Sequence, residues 1–189
     1  MLKPDINPNH ASMLTLVTAM AVANAMHRVT GAEALIKWPN DIVINGKKIC
    51  GILTEMSAQF DYINHIVIGI GINVHNESFP EELQDHAGSL LLECGKRVHR
   101  ADLIEAFLEE FERLYAIYLK TEDLSALQEE YDQLLVNRGR QVRVLDPKEP
   151  FEGKAMGITK KGELIVDTWE SRKLVSSGEV SVRGIYGYV

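Results

Sequence analysis

Residues 33–74 constrain this chain more than any other stretch. Short runs dense in β-branched and aliphatic residues, at 35–36, 42–44, 49–53 and 66–74, are separated by Pro39-Asn40-Asp41 and Asn45-Gly46. Runs of that length bounded by turn formers read as strands rather than helix. Asn45-Gly46 is the sharpest signal, because a two-residue hairpin turn needs positive φ at both central positions and these residues tolerate it best. Two antiparallel neighbours therefore meet there, and Lys48 opens the returning strand.

On either side the texture is helical. Residues 9–28 are dense in Ala, Leu, Met and Val and stop at Thr30-Gly31, where glycine suits the left-handed position after a helix. A buried helix is expected. Residues 101–120 place Leu103, Phe107, Phe111, Leu114 and Tyr118 at helical spacing with Glu105, Glu109, Glu110 and Glu112 between them, an amphipathic helix whose acids form a solvated face. Another helix is expected from Ser125, which makes a capping-box pattern with Gln128, to about 137–139. Beyond Gly139, five strand patterns at 141–145, 153–158, 164–167, 173–175 and 180–182 are divided by turns such as Lys160-Lys161-Gly162 and Ser176-Ser177-Gly178. Such spacing predicts a small antiparallel barrel. The expected fold class is α/β (α+β) in two units, residues 1–138 and 139–189.

A chain of 189 residues with 46% hydrophobic content can bury one core and a smaller second one. Its formal charge of −7 opposes broad attraction to a phosphate backbone. Cys50 and Cys94 stand apart with no Cys-x-x-Cys spacing, so neither a thiolate metal site nor a disulfide framework is expected, and a reducing cytoplasm fits. The six histidines include no pair at ligand spacing. No apolar run reaches eighteen residues, and residues 1–9 lack a charged lead into an apolar stretch, so neither membrane spanning nor secretion is expected.

Chemistry gathers between Lys37 and Asn73 in three ordered segments. They are Lys37-Trp38-Pro39-Asn40-Asp41, then Lys47-Lys48-Ile49-Cys50-Gly51-Ile52-Leu53, then Gly69-Ile70-Gly71-Ile72-Asn73-Val74. Residues two apart on a strand share a face, so Gly69, Gly71 and Asn73 fall on one side. Two missing side chains leave room for a flat ligand against the backbone, and Asn73 offers it a donor and an acceptor. Taken alone, the two glycines equally suit close helix packing. A dinucleotide fingerprint is excluded, because Val74 stands where the third glycine belongs. Lys37 and Lys48 lie in apolar strand contexts where an unpaired ammonium is costly, so each calls for an anion, either Asp41 or a bound phosphate. Asp41 after Pro39-Asn40 is by itself an ordinary turn residue.

These three segments resemble the biotin–protein ligase family, whose core reads Lys-Trp-Pro-Asn-Asp, Lys-x-x-Gly-Ile-Leu and Gly-x-Gly-Ile-Asn in that order. The stretch Ser177-Gly178-Glu179-Val180-Ser181-Val182-Arg183 is similar to the closing motif of the family's SH3-like C-terminal domain. The resemblance implies a class II aminoacyl-tRNA-synthetase-like mixed sheet flanked by helices, followed by that small barrel. It implies two reactions: biotin and ATP give biotinyl-5'-AMP, and a lysine of a biotin carboxyl carrier protein domain of acetyl-CoA carboxylase then attacks it. By the same resemblance Lys48 would contact biotin and the reacting acyl phosphate, with Asp41 as its catalytic companion. Gly51, Leu53, Gly69 and Gly71 would shape the biotin pocket. Lys37, Asn40, Asp41, Asn73 and Arg183 would serve ATP, with Asp41 also as a ligand or water-holder for Mg2+. A fixed lysine whose contact strengthens as charge crowds at the α-phosphate would speed the first step. A homodimer is implied by resemblance alone.

The resemblance also marks a difference. Family members carry, upstream of the opening helix, a Ser/Thr-rich segment and a Gly/Arg-rich loop that closes over the adenylate. This sequence enters at Leu2-Lys3-Pro4 and contains no Gly-Arg-Gly run. The expectation is a chain truncated at the N-terminus that binds biotin weakly and turns over poorly, since arginine and loop amides hold phosphates. No helix-turn-helix precedes the core, so operator DNA is not an expected partner. A noncatalytic binding or association module is the alternative for this polypeptide, and lipoate attachment is the alternative within the shared fold. The three segments and the barrel tail fit biotin better.

Overall fold

The computed structural model describes residues 1–146, 149–177, 181–184 and 188–189. A 3-10 turn at Pro8–Met13 leads into helix α1 (Leu14–Thr30). Strands β1 (Leu35–Lys37), β2 (Asp41–Ile44), β3 (Lys47–Ala58) and β4 (Ile63–Ile72) follow, then helices α2 (Leu90–Cys94), α3 (Arg100–Thr121) and α4 (Gln128–Leu134). The remaining strands are β5 (Gln141–Leu145), β6 (Phe151–Ile158), β7 (Leu164–Asp167), β8 (Arg172–Val175) and β9 (Ser181–Gly184). The first four strands form one antiparallel sheet in sequence order, and the last five form a second antiparallel sheet in the order β8-β7-β6-β5-β9.

Helix α1 is apolar almost all round, and a helix without a polar face must be covered on every side. It is packed between the inner face of the first sheet and α3, with Leu14, Val17, Met20 and Met26 fully buried. Gly31 ends it at φ 75°, its N–H donating to His27 O at 2.7 Å. Helix α3 buries Leu103, Ala106, Leu114 and Tyr118 and leaves its glutamates outward, as the periodicity predicts. The hairpin turn forms as read, with Asn45 at φ 53° and Gly46 at φ 77°.

Alternation along the strands sorts the first sheet into two faces. Ile36, Ile42, Cys50 and Ile72 are partners across all four strands and lie on the face turned toward the core. The neighbouring row faces away from it, and there the unusual residues collect.

The second sheet is docked through the turn between β6 and β7. Trp38, 1% exposed, donates its indole Nε1–H to Gly162 O at 3.0 Å. The expected capping box does not form: the Ser125 hydroxyl bonds Asp123 Oδ1 instead, and α4 begins at Gln128 with Leu127 before it. The Asp123 carboxylate takes the hydroxyl that the box requires for a helix amide, and Gln128 donates to Ile158 O on β6 rather than back to the cap. That helix also ends at Leu134, short of the expected 137–139. Gly178, Glu179 and Val180, part of the closing motif, lie outside the described residues. No helix among the described residues is long and apolar enough to cross a membrane.

Candidate functional site

The register of the first sheet builds the site. Lys37 pairs with Asp41, Asp41 with Gly51, and Gly51 with Gly71, so one residue from each strand falls in a single row. Directly opposed residues of antiparallel strands share a face. The row therefore presents a cation, an anion and two bare backbone positions side by side. The next partners along, Leu53 and Gly69, extend the bare stretch on the same face. A Cβ built on Gly69 or Gly71 would meet nothing nearer than a backbone oxygen at 3.8 or 3.9 Å, so helix packing is not what these glycines serve. They leave an open floor, with Leu53 standing 64% exposed at its margin.

Lys48 reaches this face through an irregularity. Ile42 pairs with Cys50 but Val43 pairs with Lys48, so β3 carries one extra residue at this point. Such a bulge re-aims the side chains beyond it. Without it, Lys48 would share the face of Cys50 and Ile52 and enter the core. With it, the Lys48 chain lies over Gly51, where a Cβ would sit 3.3 Å from both Cε and Nζ. The Lys48 backbone is clamped from the side by a loop: its N–H donates to His86 O at 2.7 Å, and its carbonyl accepts from Gly88 N–H at 2.9 Å. Asn73 secures that loop by donating one Nδ2 hydrogen to Gly88 O at 3.1 Å, so one of its two amide hydrogens is already engaged.

Asp41 sits at the centre of the charges. Its Oδ1 lies 2.5 Å from Lys48 Nζ, and its Oδ2 lies 4.0 Å from Lys37 Nζ and accepts the hydroxyl hydrogen of Tyr188. Lys37 and Asp41 are buried, while 41% of the Lys48 side chain is open. Burial holds the Lys37 ammonium below its usual pKa; Asp41 opposes this, and the positive charges of Lys48 and Arg183 add to the lowering. Arg183 is exposed on β9 and acts here through its field. Asn40 makes paired bonds with Ile52 of β3, its Nδ2–H donating to Ile52 O at 2.9 Å, which fixes the turn before Asp41. A groove of about 350 Å3 opens beside it, lined by Asn40, Leu53, Pro39, Asn9, Ser12 and Ser177 among others.

Of the residues singled out in the sequence, Lys37, Asp41, Lys48, Gly51 and Gly71 come into one contiguous cluster. Leu53 and Gly69 adjoin it, Asn40 and Asn73 brace it from behind, and Arg183 stands farther off. Cys50 faces the core with its thiol pushed up to about 12 by burial, so it is a small apolar filler rather than a nucleophile. As a magnesium position Asp41 fits poorly, because both of its oxygens face donors. Nor does a group of three or more His, Cys, Asp or Glu able to hold a metal gather among the described residues. Sequence reasoning missed the bulge, the clamp at His86–Gly88 and Tyr188. Nothing in the local pattern marks the first two, since both are backbone events; Tyr188 reads as one more aromatic at the end of an apolar stretch.

Two segments of the chain match known families. Residues 1–73 match the Biotin/lipoate A/B protein ligase family, and residues 139–183 match the Biotin protein ligase C terminal domain. The chain is 39% identical over 183 residues to the bifunctional ligase/repressor BirA of Bacillus spizizenii, covering 96% of itself and 56% of that protein. It is 26% identical to the biotin–[acetyl-CoA-carboxylase] ligase of Paracoccus denitrificans over 97% of itself and 78% of that protein. The chain thus spans little more than half the length of the Bacillus relative. Among solved structures, the biotin protein ligase of Aquifex aeolicus in complex with biotin and ATP superposes with a TM-score of 0.82 at 29% identity, over 95% of this chain and 75% of that one. By sequence and fold, the chain belongs to the biotin protein ligase family.

Proposed function

We propose that this site joins biotin to a carrier protein by way of biotinyl-5'-AMP. The observation that carries the reading is the row Lys37, Asp41, Gly51, Gly71 with Lys48 laid over it: a bare floor for a flat ring beside cations for an anion. The relatives named as biotin ligases, and the Aquifex structure holding biotin and ATP, support it.

In the first step a biotin carboxylate oxygen attacks the α-phosphorus of ATP, forming the mixed anhydride and releasing pyrophosphate. Negative charge concentrates at that phosphorus, and a cation fixed beforehand stabilises it without reorganising. Lys48 is suited to this role because its backbone is clamped on both sides and its ammonium is steered by Asp41, while its side chain stays open enough to be met by substrate. Lys37 is more deeply buried and serves as standing positive potential behind it. In the second step the amine of a carrier lysine attacks the acyl carbon, AMP departs, and the amine gives up a proton. The acceptor is a biotin carboxyl carrier domain of acetyl-CoA carboxylase. Residues 1–189 contain no Gly-Arg-Gly run to close over phosphates, so assayed by themselves they are expected to hold biotin weakly and turn over slowly.

The test is calorimetric titration with biotin, alone and then with ATP and magnesium, for the wild-type chain and Lys48→Ala. Binding that weakens about tenfold or more in the variant, the scale expected for losing one hydrogen bond to a charged group, supports the reading. Equal binding by both, or heat with lipoate in place of biotin, overturns it.

A further inference from the structure

Residues 188–189 return from the second sheet to the first and enter the charged cluster. The Tyr188 hydroxyl donates to Asp41 Oδ2, Lys37 Nζ stands 3.9 Å from the centre of its ring, and the His86 ring packs against it at 5.9 Å between centroids. One glycine admits this return. A Cβ at Gly184 would lie 2.1 Å from Val189 O, so no other residue at 184 leaves the path open. Val189 in turn packs its side chain toward the Asn45-Gly46 turn, where a Cβ at Gly46 would meet it at 3.7 Å. The hydroxyl is half-buried and held well above the ordinary tyrosine range by burial and by the carboxylate, so it donates throughout the working pH range.

The consequence falls on Asp41. A carboxylate between two lysines can turn toward either. With Tyr188 and Lys37 on Oδ2, Oδ1 is left for Lys48, and the ammonium is drawn to one place above Gly51. We propose that Tyr188 is a positioning residue of the active site, which orients Asp41 and through it presents Lys48 to the reacting phosphate. Its ring also carries the Lys37 ammonium by cation–π attraction. The role of Lys48 rests on the ligase reading above; the placement of Lys48 by Tyr188 does not.

Two variants separate the contacts. Tyr188→Phe removes the hydroxyl and keeps the ring under Lys37; Tyr188→Ala removes both. The first readout needs no activity: acylation of lysines by an N-hydroxysuccinimide ester, followed residue by residue by mass spectrometry. Lys47 is exposed to nearly the same degree as Lys48 and serves as the internal control. In Tyr188→Phe, Lys48 should label several-fold faster relative to Lys47. The second readout is biotin-dependent exchange of pyrophosphate into ATP by the full protein. Here kcat should fall about tenfold in Tyr188→Phe, the worth of one hydrogen bond to a charged group, with KM for ATP little changed. Tyr188→Ala should raise that KM as well. Unchanged Lys48 labelling in Tyr188→Phe overturns the proposal, and so does a rise in kcat, which would make the tyrosine a plug rather than a brace. Wild-type protein without exchange sinks the ligase reading instead, and the labelling ratio still decides the role of Tyr188.

Discussion

Asp41 is one carboxylate shared by two ammonium groups and a phenol, and the three partners are not equally replaceable. Lys48 has solvent to fall back on, and Tyr188 loses one hydrogen bond. Lys37 is 6% exposed, and among the described residues its ion-pair partner is Asp41. Removing one member of a buried pair leaves the other charge uncompensated, which costs about 3–5 kcal/mol, whereas removing the buried cation itself also removes its desolvation penalty. Asp41→Asn should therefore destabilise the chain by about 3 kcal/mol, while Lys37→Met, which leaves Asp41 with Lys48 and Tyr188, should cost under about 1 kcal/mol. Urea denaturation of both variants measures the ordering. Equal losses would mean that the pair is too well solvated for burial to matter.

At the scale of strands, much of the site was legible before the fold, because period-two alternation and a two-residue turn dictate which residues share a face. Asn45-Gly46 set the register of β2 and β3, and the Gly69-x-Gly71 spacing put both glycines on one side of β4. What could not be read was the slip at Ile49 and Cys50. Both are apolar and buried, so the sequence looks like uninterrupted strand while the backbone gains a residue. The capping-box reading at Ser125 failed for a related reason: a nearby carboxylate captured the hydroxyl, and local pattern does not rank competing acceptors. The strand geometry makes its own prediction. Gly71→Val places a β-branched side chain where nothing lies within 3.9 Å, and valine suits a strand better than glycine by about 1 kcal/mol. The variant should match or exceed wild-type stability in urea yet lose biotin binding in calorimetry. Retained binding would show that the bare face is not the ligand floor.

At the scale of the molecule, one crowded place where the two sheets meet is the turn at Gly162. Its carbonyl receives the Trp38 indole, and its backbone sits at φ 82° against Leu16 of α1 and Leu124. A Cβ there would lie 3.0 Å from Leu16 Cδ2 and 3.3 Å from Leu124 Cδ1, whereas at Gly139, φ 78°, it would meet nothing within 4 Å. The two glycines thus share a left-handed backbone and differ in surroundings. Gly139→Ala should cost about 1 kcal/mol from backbone strain alone. Gly162→Ala should cost about 1–3 kcal/mol more, because the added methyl overpacks the junction and pushes the carbonyl away from Trp38. Trp38 is buried and Trp169 fully exposed, so the change in tryptophan fluorescence on unfolding reports the junction, while far-ultraviolet circular dichroism reports α1 and α3. If the turn at Gly162 couples the sheets, Gly162→Ala lowers both midpoints together, although it lies in the second sheet and the helices cover the first. If only the fluorescence transition moves, the sheets unfold independently, and the site on the first sheet does not depend on the second for its stability.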